Sequence, residues 1–117
     1  MPNRRLVLRK ISGPILLELE ATEIGRDLLV LITGGESHLG AVAVGGFATR
    51  SFVSVITVPG HKDDCIAKEA ASRIADQFKR SCAVLVGIHL VGPSKEQIRN
   101  VVEDALSLVD EMIEDFV

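Results

Sequence analysis

Tryptophan and tyrosine are absent from this chain of 117 residues, and four phenylalanines are its only aromatic side chains. With 47% of the residues hydrophobic and a mean hydropathy of +0.31, the core must be built from Val, Ile, Leu and Ala, a composition that suits a sheet buried on both faces. No apolar run reaches the length of a membrane span, and "MPNRRLVLRK" lacks the apolar core and small-residue cleavage site of a secretory signal. A water-soluble, cytoplasmic protein without a membrane partner is therefore expected. Cysteine is scarce: Cys65 and Cys82 have neither CxxC spacing nor a zinc-type array, and both read as small buried hydrophobes in a reducing compartment. Positive charge is not in excess either. A net charge of −3 argues against nucleic acid as the main partner, because neutralising phosphates needs a basic surface.

No linker, low-complexity segment or internal repeat interrupts the chain, and its length matches one domain over residues 1–117. Charge is nevertheless uneven along it. Arg4, Arg5, Arg9 and Lys10 crowd one end, while Asp110, Glu111, Glu114 and Asp115 crowd the other. Either these are two solvated edges, or the two ends pair within or between subunits.

Segments rich in β-branched and aliphatic residues at 4–11, 15–22, 27–33, 40–45, 52–58 and 82–88 predict six strands. In the second, Leu17 and Leu19 alternate with Glu18 and Glu20, the pattern of a strand with one wet face. The fifth alternates less cleanly and the sixth not at all, which predicts that these two lie centrally. A period of 3.6 predicts two helices. Over 64–79, Ile66, Ala70, Ile74 and Phe78 form a stripe beside Ala67, Ala71 and Ala75; over 95–116, Ile98, Val102, Ala105, Val109, Met112 and Phe116 recur at steps of four and three. Ser94 and Gln97 have the spacing of a capping box at the start of the second helix. The sum is an α+β fold: a mainly antiparallel sheet of about six strands, one parallel βαβ unit and two packed helices.

The three histidines sit in similar settings, "GGESHLGAVAVGG", "PGHKDD" and "GIHLVG", each within two residues of a glycine. If strands three, four and five are joined as consecutive hairpins, His38 and His61 fall at one edge of the sheet. The helical crossover from strand five to a parallel strand six then brings His89 to the same edge. The first helix starts there too. Its free amide groups and the neighbouring Lys62 make an anion site, unless Asp63 and Asp64 cap those amides themselves. Gly34, Gly35 and Gly60 either let a ligand approach the backbone or only supply positive φ in turns. The histidines together with Glu36, Asp63 and Asp64 also raise a metal site, but their spacing is no known ligand signature and no metal ligand is assigned. No G-x-S-x-G elbow appears, and neither cysteine has a histidine beside it, so a nucleophilic triad has no support.

The stretches "HLGAVAVG", "SVITVPGHKDD" and "GIHLVGPSKEQI" resemble the motifs of a family of small proteins associated with UbiD-type decarboxylases. That family includes the small D subunit of gallate and hydroxyarylic acid decarboxylases, described as a prenylated-flavin chaperone. The likeness runs from about position 14 to the C-terminus. It implies a compact α+β domain similar to proteasome-assembly chaperones, and a role in handling prenylated FMN or FMN for a UbiD-type decarboxylase subunit. On the matching motifs, His38, Gly40, Gly60, His61, Lys62, Gly87 and His89 become cofactor-binding candidates, joined by Gly34 and Gly35. No catalytic residue is carried over from the family. Phe47 and Phe52 are the only rings near loops that could stack on an isoalloxazine.

The leading reading is thus a non-catalytic chaperone whose histidine-lined, glycine-rich edge holds a phosphorylated cofactor. Two others remain: a small metal-dependent enzyme using the three histidines, and a structural subunit that binds a larger partner through a sheet edge or the last helix. A homo-oligomer is expected, because the long last helix and the first strands carry many apolar positions to cover.

Overall fold

The structure, a computed structural model, describes residues 3–58 and 63–116. Strands form at β1 (Arg5–Ser12), β2 (Ile15–Ile24), β3 (Asp27–Gly34), β4 (Ala41–Phe47), β5 (Ser51–Thr57) and β6 (Cys82–Ile88), and helices at α1 (Asp64–Phe78) and α2 (Lys95–Phe116). All eight elements lie where hydrophobic periodicity marks them. The capping box is formed in both directions: Gln97 N–H donates to Ser94 Oγ at 3.1 Å, and Ser94 N–H donates to Gln97 Oε1 at 2.8 Å.

The six strands make one sheet in the order β1-β2-β3-β6-β4-β5. β6 runs parallel to β3 and antiparallel to β4, so β3 and β4 are not a hairpin but flank β6 on either side. β5 and β6 run in the same direction, as the crossover through α1 requires, with β4 between them. The strand without a polar face does take a central place. The fifth does not: β5 is an edge strand, because its hairpin with β4 puts it outside the strand that β6 has paired.

Both helices cover the same face of the sheet. Leu17, Leu19 and Ala21 of β2, Val30 and Ile32 of β3, Ala41 and Ala43 of β4, and Val84 and Val86 of β6 point to this side and are fully buried. Opposite them are Ile66, Ala67, Ala70, Ala71 and Ile74 of α1, and Val101, Ala105, Leu108, Val109 and Met112 of α2. Burial of each large aliphatic side chain contributes about 1.5–3 kcal/mol, so this one layer carries the fold. The alanines of α1 bring it close to the sheet; a Cβ on Gly45 would stand 2.8 Å from the Ala71 carbonyl oxygen. Ile98, placed on the buried stripe by its spacing, is instead 47% exposed in the first turn of α2. The other face of the sheet is open, contrary to the expectation of a sheet covered on both sides.

The basic N-terminus is not paired with the acidic C-terminus. Arg5 pairs with Glu20, Arg9 with Glu18 at 2.8 Å, and Arg4 with Glu23 at 2.8 Å, all within the β1–β2 ladder. Lys10 reaches the last helix at 3.5 Å from Asp104, and Arg4 donates to the Phe116 carbonyl at its end, but neither contact is with the acidic cluster at 110–115. Asp104 also accepts a bond from the buried hydroxyl of Ser12 at 2.6 Å. Asp110 takes Arg73, which joins the two helices. No helix among the described residues is long and apolar enough to cross a membrane.

Candidate functional site

The topology decides what meets at the rim where β3 and β6 end and β4 begins. Since β3 and β4 lie on either side of β6, the segment 35–40 has to cross the end of β6. Gly40 N–H donates to the Val86 carbonyl at 2.8 Å, and Val58 N–H to the Gly40 carbonyl at 2.8 Å, which pins this crossing to the sheet. Gly87 makes it possible: a Cβ at that position would lie 1.4 Å from the His38 carbonyl oxygen. His89 is fixed from the other side, where its N–H donates to the Gly34 carbonyl at 3.0 Å and extends the β3–β6 ladder by one bond.

The result is a pair of imidazoles. His38 and His89 have ring centroids 5.9 Å apart and stand edge to face at 82°. The Nδ1 of His38 lies 3.2 Å from the Glu36 carbonyl oxygen, which can only accept, and its Nε2 lies 3.5 Å from Oδ2 of Asp63. Asp63 is the residue before α1, and its carboxylate makes no side-chain bond to the helix amides. It is turned towards His38 instead, against Gly40, where a Cβ would collide with the carboxylate. Of the two readings left open for the start of α1, side-chain capping by Asp63 is not formed. Gly35 has φ +67°, the left-handed region, and a Cβ there would also stand 2.2 Å from the His89 carbonyl oxygen.

Beside the imidazoles opens a cleft of about 300 Å³ lined by Pro14, Ile15, Gly35, Glu36, His89, Leu90, Val91 and Gln97. A shallower hollow of about 380 Å³ adjoins it past Pro14, Ile15 and Gly35 and includes Ser37. The size is at the lower end of small-molecule pockets, and the wall is mostly aliphatic with a few polar groups.

Of the nine predicted site residues, His38, His89, Gly35, Gly40 and Gly87 are brought together at this rim. Gly34 is buried, with Leu17 and Ile15 where its Cβ would be, so it packs the core as well as bordering the shallow hollow. Gly60, His61 and Lys62 lie outside the described residues. Phe47 and Phe52 are at the other end of β4 and β5, far along the strands from the histidines. Pro14, Ile15 and Gln97 were not foreseen. Counting strand directions places the β1–β2 turn and the start of α2 at the same rim, so the signal that gathers the histidines also contains these residues.

Among the described residues no group of three or more His, Cys, Asp or Glu is arranged to hold a metal ion. Cys82 is buried and donates weakly to the Ala71 carbonyl at 3.7 Å; burial pushes its thiol up to about 11. Cys65 is exposed on α1, against the expectation that both cysteines are buried. Cys82 begins β6, at the opposite end of the strand from His89, and Cys65 stands in the first turn of α1, two residues after Asp63.

A family model for the prenylated flavin chaperone LpdD-like domain matches residues 12–117. Protein LpdD of Lactiplantibacillus plantarum is 33% identical over 81 residues, which cover 64% of this chain and 58% of that relative. Among solved structures, a chain from the crystal structure of a novel chaperone complex for yeast 20S proteasome assembly superposes with a TM-score of 0.65 at 20% identity, over 97% of this chain and 99% of the other. That likeness bears on the fold, and it agrees with the α+β architecture expected from the sequence.

Proposed function

The chain belongs to the LpdD-like prenylated flavin chaperone family, and from that premise we propose that it binds prenylated FMN at the His38–His89 rim and passes it to a UbiD-type decarboxylase. The observation that carries this reading is the meeting of two imidazoles and an aliphatic cleft at one end of the sheet. A prenylated isoalloxazine is a large, mostly apolar ring system with polar edges. Ile15, Leu90 and Val91 offer apolar contact, while His89 and Gln97 offer hydrogen bonds to ring carbonyls and nitrogens, with His38 packed edge to face against His89. The amide groups at the start of α1, together with Gly60, His61 and Lys62 just before it in the sequence, are the proposed phosphate contact.

A holding role asks for affinity and release rather than bond making, and the contacts and hydrogen bonds of this cleft suit it. With Phe47 and Phe52 at the far ends of their strands, binding relies on the aliphatic wall and the imidazoles. Such binding is moderate enough to be reversed by a decarboxylase that surrounds the cofactor.

Titration of prenylated FMN and FMN into the purified protein, read by flavin absorbance and fluorescence, tests the reading. Saturable binding weakened about tenfold or more in His38→Ala and His89→Ala is expected. No saturable change with either flavin up to millimolar concentration overturns it. Transfer is read separately, as activity gained by an apo-decarboxylase when the loaded chaperone is added.

A further inference from the structure

The cleft beside His89 has walls of unlike chemistry. Pro14, Ile15, Leu90 and Val91 give it aliphatic sides, and Pro14 brings no backbone N–H to them. Among the described residues that line it there is no Lys or Arg, and Glu36 is acidic. A phosphate or carboxylate placed here meets a like charge and no cation, so the cleft suits an uncharged group. Its volume of about 300 Å³ is at the lower end for ligand pockets, enough for one end of a cofactor.

The polar side of this wall is set by Gln97. The capping box already engages half of its amide, because Ser94 N–H donates to Oε1 at 2.8 Å. A backbone N–H can bond only to the oxygen, so this contact fixes which way the amide is turned. What Gln97 has left is the Nε2 amino group, a pure donor with no protein acceptor among the described residues. Its backbone N–H is engaged as well, by Ser94 Oγ at 3.1 Å. Main chain and side chain are thus both held, and the donor stands in place before any ligand arrives. His89 joins it on the wall with an exposed ring, its main-chain N–H being bonded to the Gly34 carbonyl.

We propose that Gln97 determines what this cleft accepts: its Nε2 donates to a carbonyl oxygen of an uncharged heterocycle, of lactam or imide type, held between the aliphatic walls. The inference rests on the reading of the rim as a flavin site and fixes how the flavin lies in it. An isoalloxazine carries carbonyls only on its pyrimidine ring, so that end enters the cleft. The dimethylbenzene end, which has no acceptor for Gln97, and the ribityl phosphate, which is charged, stay outside.

Lumiflavin, which has the ring system without the ribityl phosphate, is the probe. Saturable binding to the full chain that inorganic phosphate does not displace is expected. Gln97→Glu is the informative variant, since a carboxylate still accepts from Ser94 N–H and keeps the capping box while the donor is gone. Its melting temperature should match that of wild type, with lumiflavin affinity about tenfold or more lower. Infrared spectra read the contact itself: the carbonyl stretch of bound lumiflavin should move down in wild type and less so in Gln97→Glu. Wild-type affinity in folded Gln97→Glu overturns the inference, as does a carbonyl stretch that binding leaves unmoved or displacement of lumiflavin by phosphate. If FMN binding is still lost in His89→Ala in those cases, the rim remains the flavin site and only the placing of the ring is wrong. No saturable binding of lumiflavin, FMN or prenylated FMN removes both readings.

Discussion

The carbonyl oxygen of His38 occupies the space above Gly87 where any other residue would carry its Cβ, at 1.4 Å from the position that atom would take. The obstacle is backbone and not the end of a flexible side chain, so it cannot turn aside. Gly87→Ala must lift the 35–40 crossing off β6 and with it the His38 ring. Overpacking of this kind costs about 1–3 kcal/mol, which a shift in denaturant midpoint measures. Flavin affinity should fall at least as far as in His38→Ala, with β6 and its core contacts retained. An unchanged affinity in Gly87→Ala would detach the His38 segment from binding.

His38 and His89 meet at one rim although the hairpin expected between the third and fourth strands is absent. Because β6 is parallel to β3 and antiparallel to β4, β3 and β4 run in opposite directions just as a hairpin would make them. The end of β3 and the start of β4 therefore share a rim even though β6 lies between them, and parity survives a wrong neighbour. What parity cannot show is which strand is inserted. That choice depends on pairing energy between distant segments, and "CAVLVGI" pairs on both sides because neither of its faces is polar. The same blindness put β5 in the centre: its Val53 and Val55 look like core, but their neighbours Phe52 and Ile56 face the open side. The roles of Gly40 and Gly87 were equally illegible as physics. Each makes room for a group from another part of the chain, and no local pattern announces such a distant neighbour.

The reciprocal bonds between Ser94 and Gln97 were legible, since a capping box is a local device with a local signature. Removing the hydroxyl in Ser94→Ala leaves the Gln97 amide without its partner and should cost about 1 kcal/mol. Gln97 also lines the cleft beside His89. Gln97→Ala should therefore lower both thermal stability and flavin affinity, whereas Ser94→Ala should lower stability mainly. Melting curves and titrations of the two variants side by side separate capping from contact with a ligand.

The two cysteines should differ sharply towards a thiol reagent. Cys65 is exposed on α1, while Cys82 is 3% exposed, donates to the Ala71 carbonyl and has its thiol pushed up to about 11 by burial. One thiol per chain should react with an aromatic disulfide in native buffer at neutral pH, and two in denaturant; Cys65→Ser should leave none in the native protein. The raised value also has a sign in stability. The neutral thiol is favoured by the fold, so its contribution is complete below pH 9 and is lost as pH rises towards about 11. A second fast-reacting thiol in the native state would contradict the packing of β6 against α1.

Glu23 carries the opposite sign. Its carboxyl accepts bonds from the Arg4 side chain at 2.8 and 3.1 Å and from the Arg4 backbone N–H at 2.9 Å, with Arg80 at 3.8 Å, and these hold it down from 4.5 to about 2, the Arg4 side-chain bond contributing most. A lowered carboxyl stabilises the fold above its unfolded value and loses that contribution as pH falls through the folded one. The same Arg4 guanidinium donates to the Phe116 carbonyl at 3.2 Å and lies over the Phe116 ring, so this carboxylate steadies β1 and the end of α2 together. Glu23→Gln should be less stable than wild type at neutral pH, by an amount that stays constant down to about pH 4.5 and vanishes as pH approaches 2. Denaturant curves of both proteins across that range measure the difference directly. A gap that persists unchanged to pH 2 would mean that shape, and not the charge on Glu23, is what ties the two ends of the chain.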